Sequence, residues 1–152
     1  MAKILFLDST PLGLITQRRS KSSEVDACQQ WYLDLNANGW SIYLPEIADY
    51  EVRRELLRSG KSASISRLDQ LSKTSIYLPL TTSVMRLASQ LWAASRNAGL
   101  ATSHPQALDG DVILAAQALS VAPDKTDLIV ATGNVNHIAR FVPAQEWTSI
   151  SP

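Results

Sequence analysis

Cysteine is almost absent from this chain: Cys28 is the only one. A single thiol can form neither an intramolecular disulfide nor a cysteine-built zinc site. Histidine is scarce as well, and His104 and His137 stand too isolated to form a zinc-ligand pattern. Neither charge sign dominates, with 14 Lys and Arg against 14 Asp and Glu. That balance argues against a non-specific polyanion binder, while leaving a local basic patch open. No apolar run reaches the length of a signal-sequence core or a membrane span, so the expectation is a cytoplasmic protein without membrane association. Repeats, low-complexity tracts and linker-like stretches are also missing. The expected organisation is one domain over residues 1–152, a length that buries roughly 70% of the unfolded surface without any cross-link.

What is present alternates between strand-like and helix-like segments. Ile4 to Leu7 is a short run apolar on both faces, the pattern of a buried parallel strand. Pro11 to Ser22 reads as a loop carrying the basic residues Arg18, Arg19 and Lys21. Ser23 with Asp26 resembles a helix start, and Cys28, Trp31 and Leu35 form its apolar stripe up to Asn38-Gly39. A strand over Trp40–Leu44 ends at Pro45, and a helix over about Glu46–Ser59 ends before Gly60. Ile65, Leu68 and Leu71 indicate a short helix, Ser75–Leu78 a third strand, and Thr82 the cap of a long helix that Gly99 ends. Ala101–Leu108 reads as a loop, Asp109–Ser120 as a helix, Leu128–Ala131 as a fourth strand, and the tail near Trp147 as a short edge strand. This order predicts an α/β domain of three layers, α/β/α, around a mostly parallel sheet.

In such sheets ligands bind beyond the carboxyl ends of the strands. Asp8 stands there, directly after the first strand in "KILFLDST", and Asn134 follows the fourth in "LIVATGNVNH". Asp109 and Asp111 lie at a helix start in "LDGDVILAAQAL", and Glu51 lies inside the helix "EIADYEVRREL". Each has a plain alternative. Asp8 and Asn134 can be turn or cap residues, and Asp109 and Asp111 can complement a helix dipole. Glu51 can be a solvated partner of a neighbouring arginine, although Ile47 places it toward a packed face. His104 and His137 read as surface or capping residues, and Ser9 and Thr10 have no base beside them for a serine-type triad.

Four motifs in this order resemble the PIN-domain family, and within it the VapC-type toxin ribonucleases of type II toxin–antitoxin systems. They are "LFLDST" with Asp8, "YEVRRELL" with Glu51, "DVILAAQAL" with Asp111, and "ATGNVNH" with Thr132 and Asn134. The resemblance spans essentially the whole chain. It implies an endoribonuclease that uses Mg²⁺ or Mn²⁺ to cut single-stranded or structured RNA. Asp8 and Asp111 would hold the ion directly or through water. Glu51 would orient or deprotonate the attacking water, and Asn134 would position water at the ion. Asp109, Thr132 and Arg54 are further candidates. The implied partners are a cognate antitoxin lying in a groove between the early helices, and a second copy in a homodimer.

Two features depart from the pattern. Asn134 stands where an Asp is usual, removing one charge, with Asp109 the candidate to compensate in part, and Glu46 and Glu55 flank Glu51 as rivals for the second acid. Arg53, Arg54 and Arg58, or Arg18, Arg19 and Lys21, are candidate phosphate contacts. Asn134 also keeps a second function open, a PIN-fold module that holds nucleic acid or protein without cutting. A phosphotransferase with Asp8 as nucleophile is disfavoured, because Thr10 stands where that chemistry needs a second Asp.

Overall fold

A computed structural model of the chain describes residues 3–99 and 105–152. Five parallel strands form one sheet in the order β3-β2-β1-β4-β5. They are β1 (Ile4–Leu7), β2 (Ser41–Pro45), β3 (Ile76–Leu78), β4 (Leu128–Ala131) and β5 (Ala144–Gln145). The helices are α1 (Ser9–Ile15), α2 (Ser23–Ala37), α3 (Glu46–Arg58), α4 (Ser62–Thr74), α5 (Thr82–Asn97), α6 (Pro105–Val121) and α7 (Val135–Ile138). The three-layer α/β/α architecture is the one expected, and the described sheet is parallel throughout.

The apolar run at the N-terminus explains why β1 is central. Successive side chains of a strand face opposite ways. Leu5 and Leu7 join the layer containing Leu12, Trp31, Val52 and Leu68. Phe6 joins the opposite layer with Leu114, Ala118 and Val130. All three of these β1 side chains are fully buried, each contributing roughly 1.5–3 kcal/mol of hydrophobic stabilisation. Phe6 pairs with Tyr43 across to β2, their rings stacked at 4.9 Å. A separate apolar cluster, Val84, Ala88, Leu108, Val112 and Ala116, joins α5 to α6.

Several local expectations are corrected. Residues 11–15 are helical, not loop. Asp8 caps this helix by accepting from Ser9 N at 2.7 Å, and Pro11 lies in the first turn, where a missing N–H costs nothing. The caps of α2 and α5 are Ser22 and Thr81, one residue before those expected; they accept from Val25 N and Val84 N. The helix expected from Asp109 begins at Pro105, a residue suited to a first helical position. The remainder of the Ala101–Leu108 loop, and His104 with it, lies outside the described residues. The edge strand is Ala144–Gln145, and Trp147 sits in the 3-10 turn after it. Trp31 and Trp147 pack together, and the Trp31 indole donates to Ile150 O at 2.9 Å, so the tail closes over α2. Trp92 is partly exposed.

One polar side chain is buried between the layers. Gln117 on α6 is fully enclosed; its Nε2 donates to Leu78 O at 2.8 Å and its Oε1 accepts from Ile47 N at 3.3 Å. It therefore satisfies the start of α3, where Pro45 offers no side-chain cap, and the end of β3. Replacing Gln117 by Leu strands both backbone groups, at about 1–3 kcal/mol each. The expected outcome for Gln117→Leu is a loss of about 2–4 kcal/mol in urea unfolding, seen as a lower midpoint at an unchanged slope. A midpoint equal to wild type would show that water replaces the amide.

Candidate active site

The strand order reverses between β1 and β4, and a crevice opens at the carboxyl ends of such strands. Asp8 follows β1 and Thr132 follows β4. Asp8 N donates to Ala131 O at 2.9 Å, extending the β1–β4 pairing by one residue. Thr132 Oγ1 then donates to Asp8 Oδ2 at 2.6 Å and accepts from Asn134 N at 2.9 Å. This chain of hydrogen bonds ties the first acid to the loop carrying Asn134. Gly133 lies between them because nothing larger fits: a Cβ there would stand 2.7 Å from Thr10 Oγ1.

A cavity of about 490 Å³ opens at this point, lined by Asp8, Thr10, Glu51, Arg54, Asp111 and Asn134 among others. Glu51 reaches it from the second turn of α3 and Asp111 from α6. Gly110 lies at the same approach: a Cβ on it would stand in ordinary van der Waals contact, 3.8 Å, with both Glu51 carboxylate oxygens. Asp8, Glu51, Asp111 and Asn134 thus line one cavity, with Thr132 behind Asp8 and Arg54 at the rim.

Asp109 does not join them. It lines a separate groove between α5 and α6 with Met85 and Trp92, so it cannot restore the charge that Asn134 lacks. The rival glutamates are engaged elsewhere. Glu46 Oε1 accepts from Leu80 N at 2.7 Å, and Glu55 pairs with Arg58. Arg53 is held by Asp49 and Asp69 at 2.9 and 2.8 Å. Arg54 remains exposed beside the acids, over the ring of Tyr50.

His137 is the residue that the sequence reading dismissed. It lies one turn beyond Asn134, and its Nδ1 stands 3.7 Å from Asp111 Oδ2. Both atoms are buried without a hydrogen-bond partner. The spacing Asn134-x-x-His137 at a helix start was the available signal, because residues three apart share a face.

The acids are held against their own charge. Burial and the charges of Asp8 and Asp111 push the Glu51 carboxyl up to about 7, with Arg54 opposing. Burial pushes Asp111 up to about 6, aided by Asp8 and opposed by His137, Arg140 and Asn134. Asp8 is also raised, by burial, although the bonds from Thr132 and Ser9 favour its charged form. Burial and mutual repulsion raise the proton affinity of clustered carboxylates, and a positive charge among them would be favoured. The donors are all oxygen, the preference of a hard divalent ion that keeps several waters, and Asp111 Oδ2 is a buried acceptor without a donor. The residues therefore fit Mg²⁺ or Mn²⁺. Among the described residues no group of three or more acid, histidine or cysteine side chains is gathered closely enough to hold a metal ion; Asp8 and Asp111 would hold it together with water.

No family model matches the chain, and no curated protein matches it. Solved structures do. VapBC2 of Rickettsia felis bound to a promoter DNA fragment superposes with a TM-score of 0.70 at 16% identity, covering 95% of this chain and 98% of that one. DNA-bound VapBC of Salmonella typhimurium gives 0.68 at 17% identity, covering 97% and 99%. FitAcB of Neisseria gonorrhoeae gives 0.65 at 21% identity, covering 96% and 99%. These likenesses correct the assignment of the chain to VapC-type toxins of the PIN-domain family. The matched structures are named as two-component complexes and do not single out the toxin component, and at such identities they show a fold and no membership. Among the described residues no helix is long and apolar enough to cross a membrane.

The raised acids set a pH dependence. With Glu51 and Asp111 titrating higher folded than unfolded, the folded chain holds protons that the unfolded chain has released. Stability then falls as pH rises from the ordinary carboxylate range through about 7. In chelator, the melting temperature should drop from acidic to mildly alkaline pH, and Glu51→Gln should flatten much of that slope. A wild-type melting temperature that rises over the same range would contradict the placement of these acids.

Proposed function

We infer that the protein is a divalent-metal-dependent phosphodiesterase acting on RNA, working within a two-component toxin–antitoxin assembly. The observation that carries this reading is the convergence of Asp8, Glu51 and Asp111, from three separate elements, on one cavity at the strand-order reversal. Three carboxylates repel a phosphate, so a phosphodiester enters only with a cation between. Asp8 and Asp111 would hold Mg²⁺ or Mn²⁺. When bound, the ion supplies positive charge to the phosphoryl oxygens and lowers the pKa of water.

The remaining roles belong to the chain itself. Glu51, facing the cavity from α3, accepts the proton of the attacking water as a general base. Thr132 fixes the Asp8 carboxylate through the 2.6 Å bond. Asn134 orients water with its amide, His137 braces Asp111, and Arg54 at the rim meets a non-bridging phosphate oxygen. The cavity volume suits a nucleotide of a flexible single strand, whose bases can splay out of the stack. Support for the two-component setting comes from the names of the structural neighbours, VapBC and FitAcB. The corresponding partners are the second protein component of such an assembly and a second copy of this chain, which light scattering with and without that protein would reveal.

Asn134 favours a second reading, a module that holds RNA without cutting it, because its amide leaves the site one charge short. Cleavage separates the two. With Mg²⁺ or Mn²⁺ the wild type should cut single-stranded RNA, and Glu51→Gln should lose about 10²–10⁴-fold in rate while melting at the same or a higher temperature. RNA binding without cleavage in either metal would favour the module. Asn134→Asp adds a charge near the ion; after repulsion and desolvation, about 1–2 kcal/mol remains, roughly tenfold in Mn²⁺ affinity by calorimetry. Unchanged affinity would place Asn134 beyond the ion's reach.

A further inference from the structure

A second cavity, of about 410 Å³, lies at the far ends of the helices that build the first. It is lined by Arg18, Lys21, Lys61 and Arg67 together with small and amide side chains, and no acid faces it. Lys21 and Lys61 come from segments forty residues apart in sequence, yet they stand close enough that Lys61, ahead of Arg18, drives the Lys21 ammonium below its ordinary proton affinity. Lys61 is also the N-cap of α4, a position with no side-chain cap; Ser62 N donates to Gly60 O at 3.2 Å, and Ser62, Ala63 and Ser64 of the first turn line the same cavity. Glu55 feels the charge of Lys61 but is paired with Arg58. Arg67 is anchored, donating to Thr16 O at 2.7 Å and to Ser64 Oγ at 3.0 Å.

Like charges held together are unfavourable without an anion between them. The position of the cluster says which anion. α1 and α3 pack side by side. Each begins at the carboxylate cavity, with Asp8 capping α1 and Glu51 in the second turn of α3. Each leads to the basic cavity, α1 through Gln17 and Arg18, α3 through Gly60 and Lys61. Glu51 and Gly60 are separated by roughly 13 Å at helical rise, and the exposed Arg54 lies on that path.

We propose that this basic cavity is a backbone-phosphate site for the RNA strand, holding it a few nucleotides away from the phosphodiester at the carboxylates. The inference rests on the nuclease reading above and deepens it: the substrate is a strand long enough to bridge both cavities. Lys21 and Lys61 supply the charge and the α4 N-terminus supplies N–H donors, the combination that binds phosphate at helix starts. Contacts of this kind position a strand and read no sequence.

The test uses the full chain and a fluorescein-labelled single-stranded RNA that spans both cavities, with binding followed by anisotropy in chelator. The double variant Lys21→Glu/Lys61→Glu should bind at least tenfold more weakly. Its affinity should also lose about 1.4 in the slope of log K against log salt, the share of two phosphate contacts on a single strand. In Mg²⁺ or Mn²⁺, cleavage of a dinucleotide, too short to reach the basic cavity, should equal wild type. Both lysines are exposed, and Lys21→Gln/Lys61→Gln serves as the milder control, with an intermediate loss. Unchanged affinity and salt slope would overturn the proposal. So would equal competition by a poly-glutamate peptide of the same charge, which would assign the cavity to an acidic protein segment. A wild type that binds the long RNA through these lysines but cuts nothing would leave the phosphate site standing and remove the nuclease reading instead.

Discussion

The pairing of β1 with β4 is the constraint on which the site depends. It brings the carboxyl ends of two strands together where the sheet order reverses. The Thr132–Asp8 hydrogen bond closes that end. Without this pairing Asp8 would be an ordinary helix cap and Asn134 an ordinary turn residue. With it, both line a crevice that α3 and α6 complete with one carboxylate each. The same bond works against burial at Asp8: burial raises the carboxyl's proton affinity, while Thr132 Oγ1 and Ser9 N donate to it and favour the ionised form.

Holding three acids in one crevice is unfavourable in isolation, and the rest of the fold offsets it. The layers on both faces of β1 bury Leu5, Phe6 and Leu7 completely. Gln117 satisfies the start of α3 at the turn that carries Glu51 toward the cavity. Asp49, Arg53, Asp69 and Tyr77 form one bonded group away from the site, with Arg53 between the two carboxylates and Tyr77 Oη donating to Asp49 Oδ2 at 2.7 Å. Two of the three arginines on α3 are thus paired internally, and Arg54 is left at the rim of the acids. Among the described residues the charge at this cavity is set by three carboxylates, His137, Arg140 and Arg54.

Much of this was legible in the sequence, and the failures share a cause. β1 and β4 were readable because a strand buried on both faces must be apolar throughout. α1 was missed because Pro11 and Gly13 look like breakers, although a proline in the first turn removes only an N–H that has no helical partner. The same misjudgement shortened α6. Placed at the very start of a helix, "LDGD" allows both of its acids to face one ligand; inside a helix that already runs from Pro105, residues two apart diverge. Asp109 accordingly points into the α5–α6 groove and Asp111 into the site. His137 escaped because it was read as an isolated surface or capping residue, whereas the helical turn of α7 brings it over Asp111. The resemblance to VapC-type toxins carried the right architecture but too fine an identity. Motifs of a few residues constrain where acids fall in a fold, whereas likeness at 16–21% identity reaches the fold and stops there.

The central claim is that Asp8, Glu51 and Asp111 form a cation site. Anomalous diffraction at the manganese edge from crystals soaked in Mn²⁺ tests it most directly. The account predicts one strong peak in the cavity, within coordination distance of Asp8 and Asp111 and lost in crystals of Asp8→Asn. An empty cavity, or a peak held by residues elsewhere with the three carboxylates left bare, would contradict it.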